Sequence, residues 1–224
     1  MSDEASHRDA FFAALKPGFA TLPFQTAKAS ASKDRVKLKC PNGATGLIHV
    51  STFQGDAPAG GFQIQSSAMV NGGPLDALLG AMTARRAPRF ATDCVFNAAS
   101  QGLGGGLHAG IVRPQDDPAA AARRVVDEVR HWYLPLIDGF TGAWGQALDF
   151  ALRELDQKIH PFAASSPSPL ACALALAALA RRPDRVPDIT AAARHEWWRF
   201  GAESVGDPAA FFERAVTERD RLGL

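Results

Sequence analysis

"SQGLGGGLHAGIV", residues 100–112, is the stretch on which the fold turns. Five of its thirteen residues are glycine, and Gly104, Gly106 and Ala109 satisfy the loose pattern G-x-G-x-x-A. A dinucleotide fingerprint of that form joins a strand to a helix, whose N-terminus faces the pyrophosphate. It would make the chain a parallel α/β protein. The residues that follow, "LHAGIVRPQDDP", carry Gly110 and Pro114 as breakers and β-branched Ile111 and Val112. That composition reads as a strand, so the context the fingerprint needs is missing. No Gly-Lys-Ser/Thr ends the loop, which excludes a Walker A site. The glycines are therefore expected to form a strand–strand connection that reverses the chain, with strands near 93–98 and 107–112 and His108 opening the second.

The residues upstream alternate with period two, as half-buried strands do. In "VKLKC" (36–40) Val36, Leu38 and Cys40 share one side, and Lys37 and Lys39 the other. Asn42-Gly43 follows, a strong hairpin signal because both residues tolerate positive φ. "GLIHVSTFQ" (46–54) is the returning strand. In "FQIQSSAMV" (62–70) Phe62, Ile64, Ala68 and Val70 face a core, while Gln63, Gln65 and Ser67 face away. A further strand is expected at 22–27. Before the sheet, Ser6 caps a short helix with Phe11, Phe12 and Leu15 on one face, stopped by "KPG" at 16–18.

Downstream the period becomes helical. "NGGP" opens a helix with the stripe Leu75, Leu78, Leu79 and Met82. Asp117-Pro118 opens another, with Ala121, Ala122, Val125, Val129 and Trp132 on its buried face and Pro135 ending or kinking it. Trp144, Leu148, Ala151 and Leu155 mark the next, where Glu154–Lys158 is a favourable i,i+4 pair. After a linker-like "SSPSP" (165–169) come an Ala-rich helix at 170–182, one at 187–200 and one opened by Asp207-Pro208 that buries Phe211, Phe212, Ala215 and Val216. The Ala-rich helix is apolar nearly all round and belongs in the middle of a helical layer. These elements specify an α+β fold: an antiparallel sheet of four to six strands covered on one face by helices, with an α-helical C-terminal layer. The division expected is residues 1–140 for the α+β part and 141–224 for the helical region packed on it, the two forming either separate units or one continuous domain.

The composition excludes several function classes. The 224 residues are 46% apolar and carry a formal net charge of +1, so neither nucleic acid nor an anionic membrane is an expected partner. The three cysteines, Cys40, Cys94 and Cys172, are far apart and form no C-x-x-C pair, which points to free thiols in a reducing, cytoplasmic setting and to no zinc knuckle. The N-terminus lacks the pattern of a signal peptide, and the longest apolar run is too short to span a membrane. "HEWWR" at 195–199 lacks the second histidine of a zinc-protease helix, and no G-x-S-x-G elbow occurs. Asp116-Asp117 at a helix start, and the arginine pairs 85–86 and 181–182 at expected helix ends, are explained by the helix dipole. An exposed helix face suffices for Arg123-Arg124. No metal, cofactor or catalytic residue is assigned.

Two sets of candidates remain. Gln63, Gln65 and Ser67 on the open strand face, with one of Trp197 and Trp198, form a candidate binding surface, since adjacent helical residues cannot both point into a core. His49, Gln54 and His108 form an alternative pocket between sheet and helices. Gly18-Phe19, "VSTFQ" (50–54), "FQIQSSAMV" and the "YLPLIDGF" step (133–140) together resemble the bacterial domain-of-unknown-function family 4304 over about residues 7–140. The chain departs from it in "ATLPFQ" after Gly18-Phe19 and in the glycine run. That resemblance implies an α+β fold, no established catalytic residues and a role among small accessory proteins. The expectation is a non-enzymatic protein-binding protein, such as an immunity-type inhibitor of a toxin or effector. A small-molecule-binding enzyme or sensor is the alternative, and a homo-oligomer is left open. The balanced charge argues against a basic nuclease as the target.

Overall fold

The Asn-Gly hairpin forms where the sequence puts it, with a different turn. The computed structural model describes residues 3–22, 28–31, 34–83, 96–99, 110–153, 168–194 and 202–224. Strand β1 (Lys28–Ala31) pairs antiparallel with β2 (Arg35–Lys39), which pairs antiparallel with β3 (Thr45–Phe53) in the register Val36↔Ile48 and Leu38↔Gly46. Between β2 and β3 the Gly43 N–H donates to the Cys40 carbonyl at 3.1 Å, and Gly43 alone takes positive φ, at +84°. A tight turn followed by a left-handed glycine therefore replaces the expected pair of positive-φ residues. The strand expected at 22–27 falls almost wholly on residues 23–27, which lie outside the described ones; β1 follows them in the chain.

Strand β4 (Phe62–Asn71) pairs with β3 over its length, from Thr45↔Asn71 to Phe53↔Gln63. Its alternation is as read: Phe62, Ile64, Ala68 and Val70 are buried, and so is Ser66, which shares their face. The two strands flanking the glycine run are β5 (Phe96–Ala99) and β6 (Ile111–Val112). Both pair antiparallel with β4, Val70↔Phe96 to Ser67↔Ala99 and Gln63↔Ile111 to Phe62↔Val112. The expected reversal is thus corrected. β5 and β6 run in the same direction along one edge of β4; residues 100–109, which carry most of the glycine run, lie outside the described ones. The segment leads into a strand, as expected, because β-branched Ile111-Val112 can complete the β4 ladder. The six strands form one antiparallel sheet in the order β1-β2-β3-β4-β5, with β6 also on β4.

Helices cover one face. Helix α1 (Asp3–Ala20) runs through Pro17 instead of stopping there, and Ser6 lies inside it instead of capping it. Phe11, Leu15, Phe19 and Leu22 form one buried stripe, and burial of the last two offsets the backbone bond that proline removes. Phe11 meets Phe62 of the sheet edge-on, with ring centroids 5.5 Å apart. Helix α2 (Gly73–Thr83) buries Leu75, Leu78 and Leu79 as expected, with Met82 packed at the margin.

Helix α3 (Pro118–Glu128) is capped by Asp117, whose Oδ1 accepts from the Ala119 N–H at 2.9 Å, and buries Ala121, Ala122 and Val125. Trp132, expected in this stripe, is 38% exposed. The cause is a π turn, Val129–Tyr133, in which the Leu134 N–H reaches back to the Val129 carbonyl before α4 (Leu134–Thr141) begins. The additional residue shifts the phase, so Tyr133 takes the inward position that an unbroken α-helix would give Trp132. Inside, the Tyr133 hydroxyl lies 2.9 Å from Ser66 Oγ. The turn also lets the chain pass Pro135 without breaking.

Helix α5 (Trp144–Arg153) buries Leu148 and Ala151; Leu155 and the 154–158 pair lie outside the described residues. Helix α6 (Pro169–Leu179) is buried at every position, and Ser168 caps it by accepting from the Ala171 N–H at 3.1 Å. The end of the supposed linker is therefore a buried cap. α7 (Val186–Ala192) is shorter than the helix expected over 187–200, of which residues 195–200 are not described. α8 (Pro208–Leu222) is capped by Asp207 and buries Phe211, Phe212 and Ala215, with Val216 partly buried. Helix α6 sits among α2, α5, α7 and α8, the central place its composition required. The fold is α+β, an antiparallel sheet under helices with a helical C-terminal layer, and one hydrophobic cluster includes residues from both sides of position 140.

Candidate functional site

The same alternation that buries Val36, Ile48, Val50 and Ile64 turns their neighbours to the opposite face of the sheet. Strand register arranges that face in rows: Arg35–His49–Ser67, Lys37–Leu47–Met69 and Lys39–Thr45–Asn71, then Ser51–Gln65 and Phe53–Gln63–Ile111. Gln63, Gln65 and Ser67 are half-buried there, as the sequence placed them. At one end of the face Phe53 is 37% and Ile111 41% exposed, with Gln63 directly between them. That these two apolar side chains flank one amide is invisible in the sequence, because it depends on β6 joining β4.

His49 belongs to this face and not to a pocket under the helices. It lies opposite Ser67, and its Nε2 is 3.7 Å from Asp34 Oδ2. The same carboxylate accepts from Arg35 at 3.1 Å, and that bond raises the guanidinium above its ordinary pKa. The Ile48–His49–Val50 alternation sends His49 away from the core, so it does not line a space between sheet and helices. Gln54 is a loop brace, its Nε2 donating to the Ala57 carbonyl at 2.8 Å. His108, Trp197 and Trp198 lie outside the described residues.

Two of the hollows among the described residues border α4. One, of about 580 Å³, lies where the β2–β3 turn meets α4 and is bordered by Cys40, Asn42, Asp138, Thr141 and Gln146. Its polar groups are largely bonded to one another or to their own helix. Asn42 Nδ2 donates to the Thr141 carbonyl, and Thr141 Oγ1 donates to the Ile137 carbonyl at 2.8 Å. Burial pushes the Cys40 thiol and the Asp138 carboxyl up, away from their ionised forms. The other hollow, of about 340 Å³, lies beside the π turn between Trp132, Pro135, Leu136 and Phe150. One turn earlier, burial raises the Glu128 carboxyl to about 7, with Arg124 opposing the shift.

Cys40 and Cys172 are free thiols. Among the described residues no group of three or more His, Cys, Asp or Glu is placed to hold a metal ion, and no helix is long and apolar enough to cross a membrane. No family model, no curated protein and no solved structure matches this chain.

Proposed function

We propose that this is a non-enzymatic protein-binding protein of the cytoplasm, of the immunity type that inhibits a toxin or effector, acting through the sheet face that none of the described helices covers. The observation that carries the proposal is the Phe53–Gln63–Ile111 row, where two exposed apolar side chains flank an amide across three neighbouring strands of the sheet. Apolar anchors ringed by amides and hydroxyls are what protein interfaces use, and a sheet pays little ordering entropy on binding. The resemblance to family 4304 is part of this proposal and supports an accessory role. The free thiols support a reducing compartment.

A second proposal, a small-molecule sensor or enzyme, draws its support from the thiol, carboxyl and amide around the 580 Å³ hollow. It is the weaker one, because Asn42 and Thr141 are already engaged. The test is a photo-crosslinking amino acid at Gln65 in the native host, with Glu213 on α8 as the control position. A discrete protein adduct formed from position 65 and not from 213 is expected. Equal or absent adducts at both positions overturn the proposal.

A further inference from the structure

We infer that the partner seated on the sheet face is acidic. This rests on the protein-binding proposal above and adds the partner's chemistry. None of the six strands contains an Asp or Glu, although they carry Lys28, Arg35, Lys37, Lys39 and His49. The chain as a whole is nearly balanced, so carboxylates outnumber Lys and Arg in the remainder. Strand propensity does not produce this segregation, since it disfavours Glu and Lys alike. Nor is it the lysine guard that protects a sheet edge, because β2 is covered on its outer side by β1.

Arg35, Lys37 and Lys39 stand exposed in one column on β2, about 7 Å apart as alternate strand residues are. Asp34 offsets the charge of Arg35. Among the described residues no carboxylate pairs with Lys37 or Lys39, so these two carry the unbalanced charge. Beside them the face turns apolar and amide-rich through Leu47, Met69, Gln65 and Gln63. A protein with a carboxylate patch next to an apolar one fits both halves. A nucleic acid fits less well, because the exposed aromatic Phe53 lies at the far end of β3 from Lys39 and offers no stacking platform beside the cations.

The test titrates the full-length chain with a fluorescent dodecapeptide of glutamate at low salt. Wild type is compared with Lys37→Glu/Lys39→Glu and with a remote reversal, Lys16→Glu/Arg214→Glu, all verified as folded by circular dichroism. Binding that weakens with salt is expected, reduced at least about tenfold by the sheet pair and less than about twofold by the remote pair. No binding, equal losses in both variants, or a dT12 oligonucleotide that displaces the peptide at a tenth of its concentration overturns the inference. Crosslinking from position 65 separates the two levels. An adduct undiminished in Lys37→Glu/Lys39→Glu cells removes the acidic partner and keeps the protein-binding proposal; no adduct in wild type removes that proposal itself.

Discussion

Gly46 is where α4 rests on the sheet, and replacing it with alanine tests how closely helix and sheet are fitted. A Cβ built at this position lies 2.8 Å from Ile137 Cγ2 and 3.4 Å from both Ile137 Cδ1 and Leu38 Cβ. Carbon atoms prefer about 3.5–4.0 Å, so the first contact is too short by most of an ångström. Ile137 is β-branched on a helix and has essentially one χ1 rotamer, so its methyl cannot swing aside. Either the rotamer strains or α4 lifts, at a cost of about 1–3 kcal/mol. The backbone here is extended strand, where alanine is favoured over glycine by up to about 1 kcal/mol. The net expectation for Gly46→Ala is a loss of about 1–2 kcal/mol.

Ile137→Ala alone opens a cavity and costs about 2–5 kcal/mol. In the double variant the new methyl occupies part of that cavity and the overlap disappears. Its loss falls short of the sum of the singles by about 1–2 kcal/mol. Urea unfolding followed by far-ultraviolet circular dichroism on the four proteins measures this coupling. Single-variant losses that add within about 0.5 kcal/mol, or a Gly46→Ala protein more stable than wild type, refute the fit between α4 and β3.

Two further outcomes follow from the same structure. The Glu128 carboxyl has its folded pKa raised from 4.5 to about 7. Between those values the folded chain holds more protons than the unfolded one, so stability is greatest below the unfolded pKa and falls as pH rises through 7. Because the group is half-buried the effect is discounted to about 1 kcal/mol; Glu128→Gln should flatten the profile and melt higher at pH 8, and parallel melting profiles from pH 5 to 8 would contradict this. At Gly43 nothing lies within 4 Å of a built Cβ, but φ is +84°. Gly43→Ala should therefore cost about 1–2 kcal/mol through the backbone alone, and Gly43→Asn clearly less, both read by urea unfolding.

Local patterns announced most of the elements. Period-two alternation placed the faces of β2, β3 and β4, and Asp117 and Asp207 announced the helices they cap. What stayed hidden was decided at long range. Helix α1 crosses Pro17 because Phe19 and Leu22 find a core, which no local rule reports. The π turn that exposes Trp132 leaves no period in so short a segment. Extended propensity at 96–99 and 111–112 identifies strands but not the edge they join, so the sequence reads as two strands of opposite direction, whereas β5 and β6 both run antiparallel to β4. Gln63, Gln65 and Ser67 were legible as an outward row for the reason β4 was. His49 was misassigned although its own strand's alternation already pointed it away from the core. Lys37 and Lys39 read in the sequence only as the wet side of a strand, since the lack of carboxylates in all six strands appears once those strands are known.

Lysine footprinting tests the central claim, that the sheet face opposite the described helices is where this protein meets its partner. The protein is acetylated briefly, purified and in extract of its native host, and the modification of Lys37, Lys39 and the α1 residue Lys16 is counted by mass spectrometry. All three side chains are exposed in the free protein. The account predicts that host extract protects Lys37 and Lys39 several-fold relative to Lys16; equal labelling of all three in both settings would contradict it.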